Sequence, residues 1–474
     1  MSYGLYIGKN LTSDGHAWLA GYGDEPSSHW LEIIPQKKNK VNDTITVGVT
    51  KDADMPGELI KIPQTTKTFK HIRVSYSYYL GVPAPITNGG LNENGVAVRD
   101  IWSTSRKELI DMTPKNQKGP NYSDLARIVL ERARSAREAV EIVANLINKY
   151  GESTYGGNSH IFADSNEAWV MIQFAGGARL WAAEKLGPNS IRASRPGYIE
   201  EIPINEKNNP NFLYSDNLIK FSKVKGWYSK GPFNVNKIFG DGKGRWDGVR
   251  WIEEKMKKIS KQTKKIRLED VMWAMRTSKL TGDTAGYGQI VPLDNPNFNE
   301  LRMLWHSPIG AVASPFSPVF IGQSAVPEEF MMHRYLTFGE SHRFSNERKK
   351  GMKDSLSLVS QGVESTISAV YECKRLLYLM LHDEKLFLSS TTKIFEYREK
   401  DLINKTKDVI ELVKILLKKN KKNICEKILN NFSVKELRKG LKLVQTLSKK
   451  IEKHIKQTKG LNKNVKPRSF EQIW

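Results

Sequence analysis

The run Ser2-Tyr3-Gly4-Leu5-Tyr6-Ile7-Gly8-Lys9-Asn10, followed by a loop that closes on Asp14-Gly15, decides the architecture. Residues 2–8 are β-prone and contain no proline, which predicts a strand. Asp-Gly is a turn signal, so 16–22 returns as a second strand. Further out, Trp30-Leu31-Glu32-Ile33-Ile34 is a third strand stopped by Pro35. Residues 72–79 alternate in period two and predict a fourth. Asn88-Gly89-Gly90-Leu91-Asn92-Glu93-Asn94-Gly95 is a tight turn that feeds a fifth strand at 96–102.

The pattern then changes to helices. Ser123 is the expected cap of a helix over 124–134, and Ser135 with Glu138 is a capping-box signature for a second helix that Gly151 ends. Strands resume at 160–163, 168–174 and 178–185, with Gly176-Gly177 turning the last two into a hairpin. Trp246-Asp247-Gly248-Val249 opens a lysine-rich helix, and 286–325 reads as β again. Strands around a helix pair imply sheets covered by helices. From about Ser355 the chain is helical. Ser433-Val434-Lys435-Glu436 reads as another capping box, with Leu437, Leu441, Val444, Ile451 and Ile455 forming one apolar stripe that would pack on 405–417 or on a partner. These signals divide the chain into a mixed region, 1–345, and a lysine-rich helical region, 346–474.

A chain of 474 residues with 39% hydrophobic and 26% charged residues can bury more than one core and is no disordered tail. It has no apolar run of about 18 residues, so no membrane span is expected, and its start lacks a signal-peptide pattern, which makes the cytoplasm the expected compartment. Two cysteines cannot build a disulfide framework or a multi-cysteine metal site. Motifs for zinc and for nucleotide phosphates are missing, so neither a metal nor a cofactor is expected. The formal net charge is +23, and residues 343–474 hold 31 Lys+Arg against 15 Asp+Glu, so most of the excess is C-terminal. Those lysines are interleaved with glutamates and carry few aromatics, which reads as a solvated helical face and argues against nucleic acid as a partner. A homo-oligomer is compatible with the sequence.

Ser2 is the residue that carries chemistry. Serine is small enough for Met1 to be removed, and a terminal Ser2 would hold a hydroxyl and an α-amine together. Such an amine titrates near 7.7–8.0 in peptides, so at neutral pH part of it is an uncharged base able to take the hydroxyl proton. Lone histidines such as His160 or His306 read first as structural.

Several segments resemble the dipeptidase family of N-terminal nucleophile hydrolases, with secernins and the bile-salt and penicillin V acylases as more distant relatives. Ser2 to Gly15 is similar to the family's opening Cys-Thr-Thr-Ile-Leu-Val-Gly-Lys and its loop ending in Asp-Gly. Gly90-Leu91-Asn92-Glu93-Asn94-Gly95-Val96-Ala97 resembles its Gly-Ile-Asn-Glu-x-Gly-Val-Ala turn, 125–151 its helical hairpin, and Ala163-Asp164-Ser165-Asn166-Glu167-Ala168-Trp169-Val170 its Ala-Asp-x-x-Glu-Ala-Trp-Val strand. The late Pro-rich segment, Trp305 to Glu329, is also similar, so the likeness spans roughly 2–345. The resemblance implies an α+β fold, the four-layer αββα sandwich of two antiparallel sheets. It also implies amide hydrolysis through an acyl-enzyme, with a small peptide or an N-acyl amine as substrate. Ser2 would be the nucleophile and Asp24 the partner of its amine. Arg99, Asp100, Asn158, His160, Ser194 and Arg195 are the candidate substrate-binding residues. Three positions depart from the family pattern: Ser2 replaces the cysteine, Gly21 stands where an arginine is usual, and Ser194-Arg195 stand at a usual asparagine. The alternative reading is a catalytically inactive protein of this fold that binds an acidic partner or nucleic acid through its basic C-terminal helices.

Overall fold

The computed structural model describes residues 2–23, 29–76, 81–83, 85–206, 209–263, 265–277, 279–280, 286–332 and 368–460. Residues 77–79 of the expected fourth strand, and Asp24, lie outside them.

Two antiparallel sheets form the centre. The first runs, in spatial order, Ile191–Ser194, Tyr3–Ile7, Ala17–Gly23, Tyr287–Leu293, Met303–Ser307 and Ser317–Phe320. The second runs Phe212–Tyr214, Trp181–Leu186, Ala168–Gln173, Asn158–Ala163, Ala97–Trp102, Ile86–Asn92, His71–Tyr76 and His29–Ile34. Side chains on successive strand residues point to opposite faces, and both faces of each sheet are covered. Tyr6, Leu19, Val291 and Leu304 of the first sheet meet Leu31, Ile72, Ile101, Ile161 and Val170 of the second in one buried cluster. On the far side of the second sheet, helices Tyr122–Arg132 and Ala136–Tyr150 pack on Val98, Phe162 and Trp169. On the far side of the first, Tyr3, Leu5 and Ile7 meet Val249 and Met256 of helix Asp247–Thr263 and Val271 and Met275 of Leu268–Arg276. Leu402 and Val413 of Glu384–Lys418 join the same cluster. The layers are therefore helix, sheet, sheet, helix. No helix among the described residues is long and apolar enough to cross a membrane.

The local signals were mostly sound. Ser135 accepts from Glu138 N, Gly151 ends the helix at φ +83°, and Gly176 and Gly177 turn with positive φ. Two caps differ. Asn121, two residues before Ser123, caps the first helix: its side chain accepts from Asp124 N while Asp124 accepts from Asn121 N. The Ser123 hydroxyl instead accepts from Thr87 N of the neighbouring strand. Ser433 starts nothing; it lies buried inside one continuous helix, Lys422–Lys459. Cys425, Leu429, Leu437 and Leu441 are buried on both sides of it, and that unbroken stripe overrides the local cap signal.

The outer edge strand, Ile191–Ser194, is closed by side chains. Ala193 N donates to Glu253 Oε2 at 3.1 Å, and Arg245 Nη2 donates to Ala193 O at 2.7 Å. A carboxylate and a guanidinium thus replace the backbone of a further strand.

The long helix Glu384–Lys418 is tied to the core by a buried ion pair between Arg276 and Glu399, both about 2% exposed or less. Glu399 also accepts from Phe316 N at 2.7 Å, and Arg276 Nε donates to Ala311 O at 2.9 Å. Removing one member of a buried pair leaves an uncompensated charge. Glu399→Ala is therefore expected to lower unfolding stability by about 3–5 kcal/mol in urea titrations.

Three buried histidines set a pH dependence. Burial lowers His71 and His160 to about 4 and His306 to about 3, with His71 and His160 partly offset by hydrogen bonds to Phe69 O and to Tyr122 O and Gln173. In the unfolded chain each titrates near 6.5. Between those values the unfolded state binds more protons. Stability is thus fully present above about pH 6.5 and is lost as pH falls towards the folded values, by about 2 kcal/mol per histidine at pH 5. Melting temperatures measured from pH 7.5 to 5 should fall steadily, and His160→Asn should flatten that slope.

Candidate active site

Strand Tyr3–Ile7 is buried on both faces and sits between two neighbours, which makes it a rigid base for the residue before it. Tyr3 points to the helices, its hydroxyl donating to Ala274 O at 2.9 Å. Gly4 and Tyr6 point between the sheets. Alternation places Ser2 on the Gly4 side, and Ser2 is only 7% exposed. Arg195, from the end of the adjacent strand, donates through Nη1 to Ser2 O at 2.8 Å.

Gly4 and Gly21 face each other across the first two strands, and Ser194 pairs with Gly4 on the other side. A Cβ on Gly4 would lie 2.8 Å from both Ile101 Cδ1 and Ile161 Cδ1, and one on Gly21 would lie 3.0 Å from Arg99 Cδ. The bare glycines leave a trough, and Arg99 from the facing sheet lies in it. Its Nη2 donates to Tyr22 O at 3.0 Å, and its Nη1 donates to Asn88 O at 3.3 Å and to the Tyr287 hydroxyl. The Tyr287 hydroxyl donates to Gln289 Oε1 at 3.1 Å, and Gln289 Nε2 donates to Val98 O at 3.1 Å. Arg99 is fully buried, and Asp100 Oδ1 lies 3.8 Å from its Nη2.

Ser2, Arg99, Ser194 and Arg195 are therefore brought together at one end of the inter-sheet space. Ser194 Oγ is buried and has no hydrogen-bond partner among the described residues. Asp100 pairs across strands with His160. His160 is engaged on both ring nitrogens, Nε2 with Tyr122 O and Nδ1 with the Gln173 amide, each at 3.1 Å. Held neutral in that setting, it orders the helix–sheet contact. Asn158 Oδ1 accepts from the Tyr155 hydroxyl at 3.1 Å, on the side of the second sheet where Tyr155 packs with Tyr122 and Tyr76.

Sequence reasoning missed an aromatic and polar chain that lines this end of the sandwich. His29 stacks on Tyr76 at 5.1 Å, lies 5.7 Å from the Tyr287 ring, and contacts Asn88 Nδ2 at 3.3 Å. The Tyr76 and Tyr122 hydroxyls are 2.5 Å apart, and Tyr122 packs edge-on against Tyr155. Tyrosine at 76 is legible in an alternating strand; Asn88, expected in a turn, lies instead in strand Ile86–Asn92, where pairing with His71–Tyr76 extends it, and it meets a histidine 59 residues earlier in the chain.

The arrangement can offer a hydroxyl at a strand end, next to two guanidinium groups, in a largely water-excluded setting. The chain is 26% identical over 213 residues to a protein from Latilactobacillus sakei named "Probable dipeptidase", an alignment covering 40% of this chain and 43% of that one. It is 27% identical over 248 residues to a "Probable dipeptidase B" of Streptococcus pyogenes serotype M3, covering 50% and 45%. The chain thus spans about half the length of the curated relatives it matches. Among solved structures, a conjugated bile acid hydrolase from Clostridium perfringens aligns at 11% identity with a TM-score of 0.33, over 71% of this chain and 100% of that one. The profile described as Peptidase family C69 matches residues 5–247, just over half of the sequence, and the chain belongs to that family.

Proposed function

We propose that the protein is an amide-bond hydrolase that uses Ser2, exposed by removal of Met1, as its nucleophile and the Ser2 α-amine as its base. The observation that carries this reading is the seating of Ser2: it is nearly buried, mounted on a rigid strand, and fixed at its carbonyl by Arg195. The dipeptidase names of the relatives point to dipeptides or small N-acyl amines as substrates.

In this reading the neutral amine takes the Ser2 hydroxyl proton as Oγ bonds to the substrate carbonyl carbon. The tetrahedral intermediate collapses, the C–N bond breaks, and the leaving amine carries away the proton held by the Ser2 amine. Water then attacks the ester, the amine again accepts a proton, and the acid departs as Oγ is reprotonated. Asp24, which follows the second strand, would orient the amine through a charge-assisted hydrogen bond. Arg195, at the rim, would engage a substrate carboxylate, and the Ser194 hydroxyl would contact the substrate from the same row.

Intact-mass measurement of the protein from its native host should show Met1 absent. Ser2→Ala should lose at least a thousandfold in turnover of dipeptides and N-acyl amines, with an unchanged melting temperature. Short quenched incubations of the Met-free protein should show an acyl adduct on Ser2. A Ser2→Ala protein with full turnover would overturn the reading.

A further inference from the structure

Two glycines and one arginine form a matched set between the sheets. Gly4 and Gly21 lie opposite one another in the first sheet, and Arg99 reaches across from the second to lie over both, its Cγ 3.4 Å from where a Gly4 Cβ would be and its Nε 3.2 Å from where a Gly21 Cβ would be. The guanidinium then continues towards the chain terminus. Its partner Tyr22 O lies in the next cross-strand row, Tyr3–Tyr22–Gly288, and its partner Tyr287 in the row after that, where Tyr287 pairs with Gly23. Extending the Tyr3–Tyr22 register by one residue sets Ser2 beside Gly23. A full positive charge is thus held, out of water, beneath the residue whose amine would act as base.

An arginine that only tied two sheets together would be an expensive tie, because burying a charge carries a desolvation penalty that a neutral hydrogen-bonding side chain would not incur. Its field reaches further than its hydrogen bonds, since Arg99 is among the charges that lower His160. Both of its terminal nitrogens are engaged by the protein and the residue is fully buried, so it holds the site rather than touching substrate.

We infer that Arg99 is a positioning residue of this site, supplying from the facing sheet, through the trough of Gly4 and Gly21, the cation that keeps the Ser2 α-amine uncharged near neutral pH. The inference rests on Ser2 being the mature terminus. A nearby like charge disfavours the protonated amine. The charged and titratable groups facing this terminus are Arg195 on the Ser2 carbonyl, Arg99 beneath, and Tyr287 and His29 around Arg99; Asp100, on the opposite face of the Arg99 strand, has Oδ1 3.8 Å from the Arg99 Nη2. Asp24, beyond Gly23, lies outside the described residues. Arg195 shares the electrostatic work, so losing Arg99 should shift the amine without restoring an ordinary terminus.

The test reads the amine directly. The full-length, Met-free protein is treated with cyanate, whose acid form adds to a neutral amine. Carbamylation of Ser2 is then followed by peptide mass spectrometry as a function of pH. Arg99→Met is expected to raise the midpoint by about one pH unit, Arg99→Lys should stay nearer wild type, and the acidic limb of the kcat/KM profile should move by the same amount. A second variant, Arg99→Gln, keeps a neutral hydrogen-bonding side chain in the trough and should raise the midpoint as Arg99→Met does. A folded Arg99→Met protein with an unmoved midpoint overturns the inference. If Arg99→Met does not fold, Arg99→Gln decides: a midpoint raised by about one unit supports the role, and an unmoved midpoint overturns it. Carbamylation needs no turnover, so this result stands apart from the Ser2→Ala test of the nucleophile.

Discussion

A buried guanidinium shared by two sheets is the constraint on which the centre of this molecule depends. Arg99 grows from the second sheet and donates to the Tyr22 carbonyl and the Tyr287 hydroxyl of the first and to the Asn88 carbonyl of its own. Such a group is tolerable in a low-dielectric interior only when its donors are met. The sheets must therefore hold the registers that deliver those acceptors. The glycines at 4 and 21 are the other half of the constraint, because any side chain there would strike Ile101, Ile161 or Arg99 itself. Elsewhere the sandwich is an ordinary aliphatic core. At this end it is polar and position-specific.

Ser2 inherits that specificity. Tyr3 is pinned to the helix behind it through its hydroxyl, and Tyr3 and Tyr22 pack edge-on at 4.7 Å. The backbone leading to Ser2 therefore has one path. Arg195 fixes the Ser2 carbonyl from the neighbouring strand, and Trp246, whose amide donates to Arg195 O, braces that strand end in turn. Each of these contacts is made by a residue far from Ser2 in the chain. In the proposed reading the reactive group sits on a chain end, normally the loosest part of a protein, and these contacts are what would hold it.

Much of this was legible in the sequence where the physics is local. The opening strand, the Gly176-Gly177 hairpin, the Ser135 cap and its Gly151 stop depend on neighbours within a few residues, and they formed as read. Ser123 and Ser433 show the limit: both carry a sound cap signature, but Asn121 competes for one helix start and a continuous apolar stripe runs through the other. The site was readable as a set of candidates and not as a geometry. Ser2, Arg99, Ser194 and Arg195 converge because strands at 3–7, 97–102 and 191–194 come together. Asn158 and His160 belong to the same second sheet yet make their contacts away from Ser2, with Tyr155 and with Tyr122 and Gln173, while Asp100 pairs across strands with His160 and reaches only Arg99, at 3.8 Å. Nothing in a one-residue offset along a strand reveals which face will look onto the site until the register is known. The pairing of a bare Gly21 with an arginine 78 positions later is of the same kind, since it is a complementarity of volume that no window of sequence contains.

The order in which the first sheet is assembled has a consequence for biogenesis. Strand Tyr3–Ile7 finds one partner almost at once, at Ala17–Gly23, but its other neighbour is Ile191–Ser194, and Tyr287 comes later still. At a ribosomal pace of about 5–20 residues per second, the beginning of the chain stays loose for roughly 10–40 s before that second neighbour is made. In the proposed reading, an aminopeptidase that exposes Ser2 would act best in this interval, because in the folded protein Ser2 is nearly buried. Maturation of this site would then be a race between an enzyme at the exit tunnel and the arrival of a distant strand.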